Sequence, residues 1–202
     1  MTETDAQSRF WLWFIQHQAE LLTFEENQEA VFDQLAFQLQ QVDPDLTFEF
    51  GPPGSRREFV ISAGGIKRAF PAVVALANAA PDLAGWKITA FRPRRTPLNV
   101  VEFGGKQVNP VDVQFSLLNN GTIAGIYLFL PGWSDNDTTL GQIGYLLLDD
   151  ALGEYDVESR VGLIKMMSPD ADTSTERHVL TELPRLFDRL ALRLENRSGL
   201  PS

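Results

Sequence analysis

Cysteine is absent from the 202 residues. That excludes disulfide stapling, thiol nucleophiles and cysteine-held zinc. Histidine is scarce, with only His17 and His178. His17 has Glu20 three residues on but lacks the second histidine of a zinc-binding HExxH helix. His178 has Glu176 and Glu182 near it in sequence but no third ligand, so neither a metal nor a cofactor is expected. No serine stands in a G-x-S-x-G elbow, and a hydrolase triad has no support. Long apolar runs are missing too. The run from Phe10 to Ile15 is far shorter than the ~20 residues needed to cross a bilayer. With no basic leader segment at the N-terminus, the expectation is a cytoplasmic protein without a membrane partner. Basic residues are outnumbered 17 to 27, giving a net charge of -10. That field repels a phosphate backbone, so no nucleic-acid partner is expected.

What remains is the composition of a soluble folded chain, 44% hydrophobic and 22% charged, with a core rich in rings: 14 Phe and 4 Trp. The length suits one domain spanning 1–202. From Ser8, a plausible N-cap, to Val42 the apolar spacing predicts two helices, with stripes Phe10, Trp11, Phe14, Leu21, Leu22 and Val31, Phe32, Leu35, Leu39, Val42. Trp13 and Phe37 fall off these stripes. Leu46–Phe50 and Glu58–Ser62 read as a hairpin around Gly51-Pro52-Pro53-Gly54. Ala72–Ala80 reads as a helix apolar nearly all round and therefore mostly covered, with Pro71 in its first turn. Trp86–Phe91 returns as a strand, which a strand–helix–strand crossover places parallel in the same sheet.

Leu98–Phe103 reads as a strand. Val111–Leu118 and Thr122–Leu130 form a hairpin around Asn120-Gly121. Asp137 or Thr138 caps a helix ended by Gly153. A strand lies within Tyr155–Met167, Ser168–Glu176 is a loop, and 182–197 is a final helix before a frayed tail from Ser198. Leu46–Arg92 and Val111–Met167 thus share the order hairpin, helix, strand, which suggests halves 46–103 and 111–167. The predicted class is α+β: mixed, mainly antiparallel sheets covered by helices, as two pseudo-repeated halves with N-terminal (8–42) and C-terminal (182–197) helices.

Two features draw attention as sites. Ser62, Gly64 and Gly65 make a glycine turn before a helix, where backbone N–H groups could meet an anion. A tight strand-to-helix turn accounts for the same glycines. Arg92, Arg94 and Arg95, with Arg56 and Arg57, are the dense basic groups of an acidic chain; they suit phosphate or carboxylate, or simply pair with the acidic excess. Asp135, Asp137, Asp149, Asp150, Glu154 and Asp156 concentrate negative charge, read as a solvated face or a surface for a basic partner.

The run FVISAGGIKRAFPAVVALANAAPDLAGWKITAFRPRR and the downstream LLLDDALGEYDVESRVGLI resemble a family of bacterial proteins of unknown function that carry SAGG…FPAV…AAP…W…AFRPRR and LGEYDVE segments. The resemblance implies a bacterial, cytoplasmic α+β protein and no particular activity. Two functional expectations stand beside it. One is a non-enzymatic binding module with a protein partner or a homodimer. The other is a small-anion binder or enzyme using Ser62–Gly65 and Arg92–Arg95.

Overall fold

The computed structural model describes residues 5–198 and divides the chain into two units, Met1–Arg92 and Pro93–Ser202. The first begins with helices α1 (Ala6–Leu22) and α2 (Gln28–Gln40). Asp5, not Ser8, caps α1: its carboxylate accepts the Ser8 N–H at 2.7 Å, as an N-cap oxygen satisfies an orphan donor of the first turn. Strands β1 (Thr47–Phe50), β2 (Arg57–Ser62) and β3 (Trp86–Ala90) form one sheet in that order, with α3 (Phe70–Asn78) between the last two. β1 and β2 are antiparallel, and β3 lies parallel to β2, as the crossover reading requires.

Both helical stripes point inward. Phe10, Trp11, Phe14, Leu21, Val31, Leu35 and Leu39 are buried. Phe59 at the sheet centre meets Phe14 at 5.0 Å and Phe50 at 5.5 Å between ring centroids, and Trp86 meets Phe14 at 5.0 Å. Each such pair adds about 0.5–1.5 kcal/mol beyond the burial of its area. The indole N–H of Trp11 donates to Leu76 O at 2.8 Å, tying α1 to α3.

Helix α3 corrects an expectation. It buries Val73 and Leu76 but leaves Val74 41% exposed. Several of its apolar positions are alanines, which cost little in water, so an all-round apolar sequence here packs along a single stripe.

The second unit opens with a small hairpin, β4 (Val101–Phe103) and β5 (Lys106–Val108). The expected strand from Leu98 is therefore three residues long and doubled back through Gly104-Gly105. Its main sheet has the order β8-β7-β6-β9, from β6 (Gln114–Asn119), β7 (Ala124–Phe129), β8 (Val161–Met167) and β9 (His178–Val179). β6 and β7 are antiparallel through a loop in which Asn120 Oδ1 accepts the N–H groups of Thr122 and Ile123, each at 3.0 Å. β8 returns parallel to β7 after α4 (Thr138–Leu152) and α5 (Glu154–Arg160). Each unit therefore holds an antiparallel hairpin whose second strand takes a parallel neighbour after a helical crossover.

Asp137 caps α4 by accepting the Leu140 N–H at 3.0 Å, and the N–H of Gly153, at φ 81°, closes the helix on Asp149 O. Leu140, Ile143, Leu147, Leu148 and Ala151 are buried against Phe115, Ile126 and Leu128, and α6 (Leu183–Ser198) adds Leu183 and Phe187. Pro184 is the second residue of α6, where it costs no hydrogen bond. The rest of the tail, 199–202, lies outside the described residues.

Candidate functional site

The glycine turn is knit into itself. Ser62 Oγ accepts the Gly64 N–H at 3.0 Å, and the Ile66 N–H donates to Ala63 O at 3.0 Å. Gly64 and Gly65 have φ of 56° and 81°, the left-handed region that glycine enters without penalty. The α-helix begins only at Phe70, after a 3-10 turn over Lys67–Ala69. Arg68 pairs with Asp45 at 2.7 Å.

The arginines of the 92–95 segment meet carboxylates and carbonyls, through side chain or backbone. Arg92, the last residue of the first unit, pairs with Glu49. Arg94, in the second unit, donates to Leu152 O at 2.8 Å, to Asp156 at 2.7 Å and to both oxygens of Asp188 at 2.9 and 3.0 Å. Burial opposes its charge, but the hydrogen bonds to Asp156 and Asp188 outweigh that and raise its pKa above the ordinary arginine value. The Arg95 N–H donates to Asp150 O at 2.7 Å.

Arg56 binds Trp86 O at 2.7 Å, and Arg57 is 4% exposed. The Arg57 guanidinium reaches Glu25 at 2.5 and 3.1 Å, Leu22 O at 2.8 Å and Gly51 O at 3.1 Å, and lies 4.1 Å over the Phe24 ring. The Arg56-Arg57 doublet, which the sequence places between the two arms of the predicted hairpin, thus contains a core residue.

The acidic concentration is a solvated face only in part, with Asp135 exposed. Asp149 is 8% exposed and Glu154 is fully buried, while Asp156 is shared between Arg94 and Arg160. Those two buried carboxylates offer nothing for a basic partner to touch. His17 Nδ1 lies 2.8 Å from Trp13 O and its ring stacks on the Trp13 indole; His178 stands between Glu176 and Glu182 at 3.9 and 3.8 Å. Among the described residues no three His, Asp or Glu side chains gather as metal ligands.

A different place in the second unit is open: strand β8, the longer of the two edge strands of its sheet. Among the described residues β8 pairs with β7 alone. In an extended strand the N–H and C=O of one residue turn to one side and those of the next to the other. Met167 O accepts from Leu130 N, so Met167, Lys165 and Leu163 address β7. Ile164 and Met166 accordingly turn their backbone groups outward. Their side chains pack on the core below, while Leu163, Lys165 and Met167 lie on the opposite face of the sheet. Leu163 is 49% exposed there.

Two hollows flank this strand. One of about 220 Å³, bounded by Leu118, Ile123, Gly162 and Leu163, has Gly125 in its lining. A Cβ on Gly125 would come within 3.3 Å of Leu118 Cβ and 3.5 Å of Leu163 Cβ, so a side chain there would fill the gap between them. The other, of about 410 Å³, is lined by Trp133, Ser134, Asp135, Lys165, Met167 and Ser168. The loop beside it is pinned by Arg177, whose guanidinium lies 3.8 Å over the Phe129 ring and binds Pro169 O at 2.6 Å. Between the hollows Lys165 Nζ lies 6.0 Å over the Tyr127 ring, with no carboxylate of the described residues in ion-pair reach.

Comparison of the chain with protein families, curated proteins and solved structures yields no match.

Sequence reasoning missed this edge. A faint signal was present, since the eleven residues Ser159 to Pro169 contain no acidic residue in a chain with 27.

Proposed function

We propose that the protein is a non-enzymatic protein-interaction module that takes up an extended chain segment along β8. The observation that carries this reading is the edge itself. β8 is seven residues long, contains no proline and bears one charge, Lys165. Sheet edges in proteins are ordinarily blunted by shortness, proline or several charges, because a bare row of N–H and C=O groups recruits another strand. Strand addition draws affinity from those main-chain groups and selectivity from pockets for alternate side chains. The two hollows along β8 suit that second part. The guanidinium groups of Arg92 and Arg94 already face carboxylates, so an anion at either would have to displace an internal partner.

A random nonapeptide phage library panned on the whole protein tests the proposal. Enrichment of alternating β-forming sequences that bind the wild type and not Met166→Pro is the expected result. Met166 is chosen because its N–H turns outward, so proline removes a donor from the free edge and none from the ladder. Enriched peptides that bind Met166→Pro equally well, or no enrichment, would overturn it.

A further inference from the structure

We infer that the segment taken up by β8 sets an apolar side chain against Leu163 and a carboxylate against Lys165, two residues apart. This rests on the strand-addition reading. A segment hydrogen-bonded to the outward groups of Ile164 and Met166 has its own side chains alternating between the two faces of the sheet. Those on the face of Leu163 and Lys165 stand directly across from these two residues, at about 4.5–5.5 Å between Cβ atoms in the antiparallel case. Leu163, half exposed at the rim of the Gly125 hollow, gives an apolar neighbour surface to cover. Lys165, which meets no carboxylate of the described residues, gives one on the segment a partner.

The charge of the surroundings sharpens the point. In a protein of net charge -10, the cations of the first unit's sheet region are matched: Lys87 with Glu58, Arg92 with Glu49, Arg57 with Glu25. In the second unit Lys106 meets Asp137 and Arg160 meets Glu195. Among the described residues Lys165 meets the Tyr127 ring and no carboxylate, with Asp135 lining the same hollow but outside ion-pair distance. An ammonium left in that position at an open sheet edge is complementary to an acidic segment and repels a basic one.

The test uses three fluorescent peptides, Thr-Val-Thr-X-Thr-Val-Thr with X as Glu, Gln or Lys. The sequence is symmetric about X, so either strand direction offers the same pattern. Fluorescence polarisation with the whole protein should rank Glu over Gln over Lys, with about tenfold between the extremes at low salt. Lys165→Glu should invert the order, and Lys165→Gln should flatten it; far-UV circular dichroism confirms that both variants fold. Equal binding of all three peptides to the wild type overturns the inference and leaves the edge reading standing. A preference for Glu that survives Lys165→Glu also overturns it. If no peptide binds and library panning also fails, both readings fall. A dimer seen by sedimentation that no peptide dissociates and that Met166→Pro abolishes would put a second copy on the edge and overturn the acidic-segment proposal.

Discussion

Buried at 4% exposure, the guanidinium of Arg57 joins the C-terminus of α1, the turn before β2 and the Phe24 ring through one planar group. Arg57→Ala strands the carbonyls of Leu22 and Gly51 and should cost about 2–4 kcal/mol in urea unfolding. Arg57→Lys should recover less than half of that, because an ammonium cannot serve the Glu25 carboxylate and two carbonyls in one plane. Glu25 carries the pH signature of the same site. The hydrogen bonds from Arg57 hold its carboxyl below the ordinary 4.5. A depressed folded pKa gives stability that is full above the unfolded value and lost as pH falls through the folded one. Glu25→Gln should therefore flatten the acid limb of the stability curve below about pH 4.5 and leave its slope near neutrality unchanged. A curve unchanged on the acid side would show that the pair does not act through Glu25.

At the scale of elements, the β8 edge makes its own prediction without any partner. The N–H groups of Leu163 and Lys165 are in the ladder with β7, and those of Ile164 and Met166 are not. Amide exchange in the free protein should alternate along the strand, slow at Leu163 and Lys165 and fast at Ile164 and Met166. Uniform protection would mean that something already covers the edge. The sequence made β8 legible as a strand, because Val161–Met166 is β-forming and apolar. It did not reveal that β8 ends the sheet, since edge or centre depends on strand order, and alternation along one strand carries no information about its neighbours. The helical stripes of α1, α2 and α4 were legible because 3.6-residue spacing is a property of the segment alone. Short pieces were not: β9 has two residues, and α5 has seven in a stretch that opened on a glycine and read as the approach to a strand. Arg57 was hidden for a related reason, since nothing in an Arg-Arg doublet says which of the two turns inward.

For the whole molecule, each unit carries its own apolar cluster, one built on Phe59 and Trp86, the other on Phe115 and Leu147. A fragment of residues 1–92 should then fold by itself, with a near-UV circular dichroism signal from its buried Trp11 and Trp86 and a cooperative thermal transition. A fragment without either would tie its core to the rest of the chain. The shared hairpin-then-parallel-strand plan also sets an order of assembly. Phe50 finds Phe59, and Phe115 finds Leu128, across short loops, whereas Phe59 must wait for Ile88 and Leu128 for Met166 across a whole crossover. Distant pairings form late because loop closure comes before their reward. β8 thus joins its hairpin late, and β9, which reaches β6 across a still longer stretch, later again; of these two edge strands β8 is the long one, seven residues against two. On the ribosome, the segment Val161–Met167 would be the stretch most in need of a chaperone's cover.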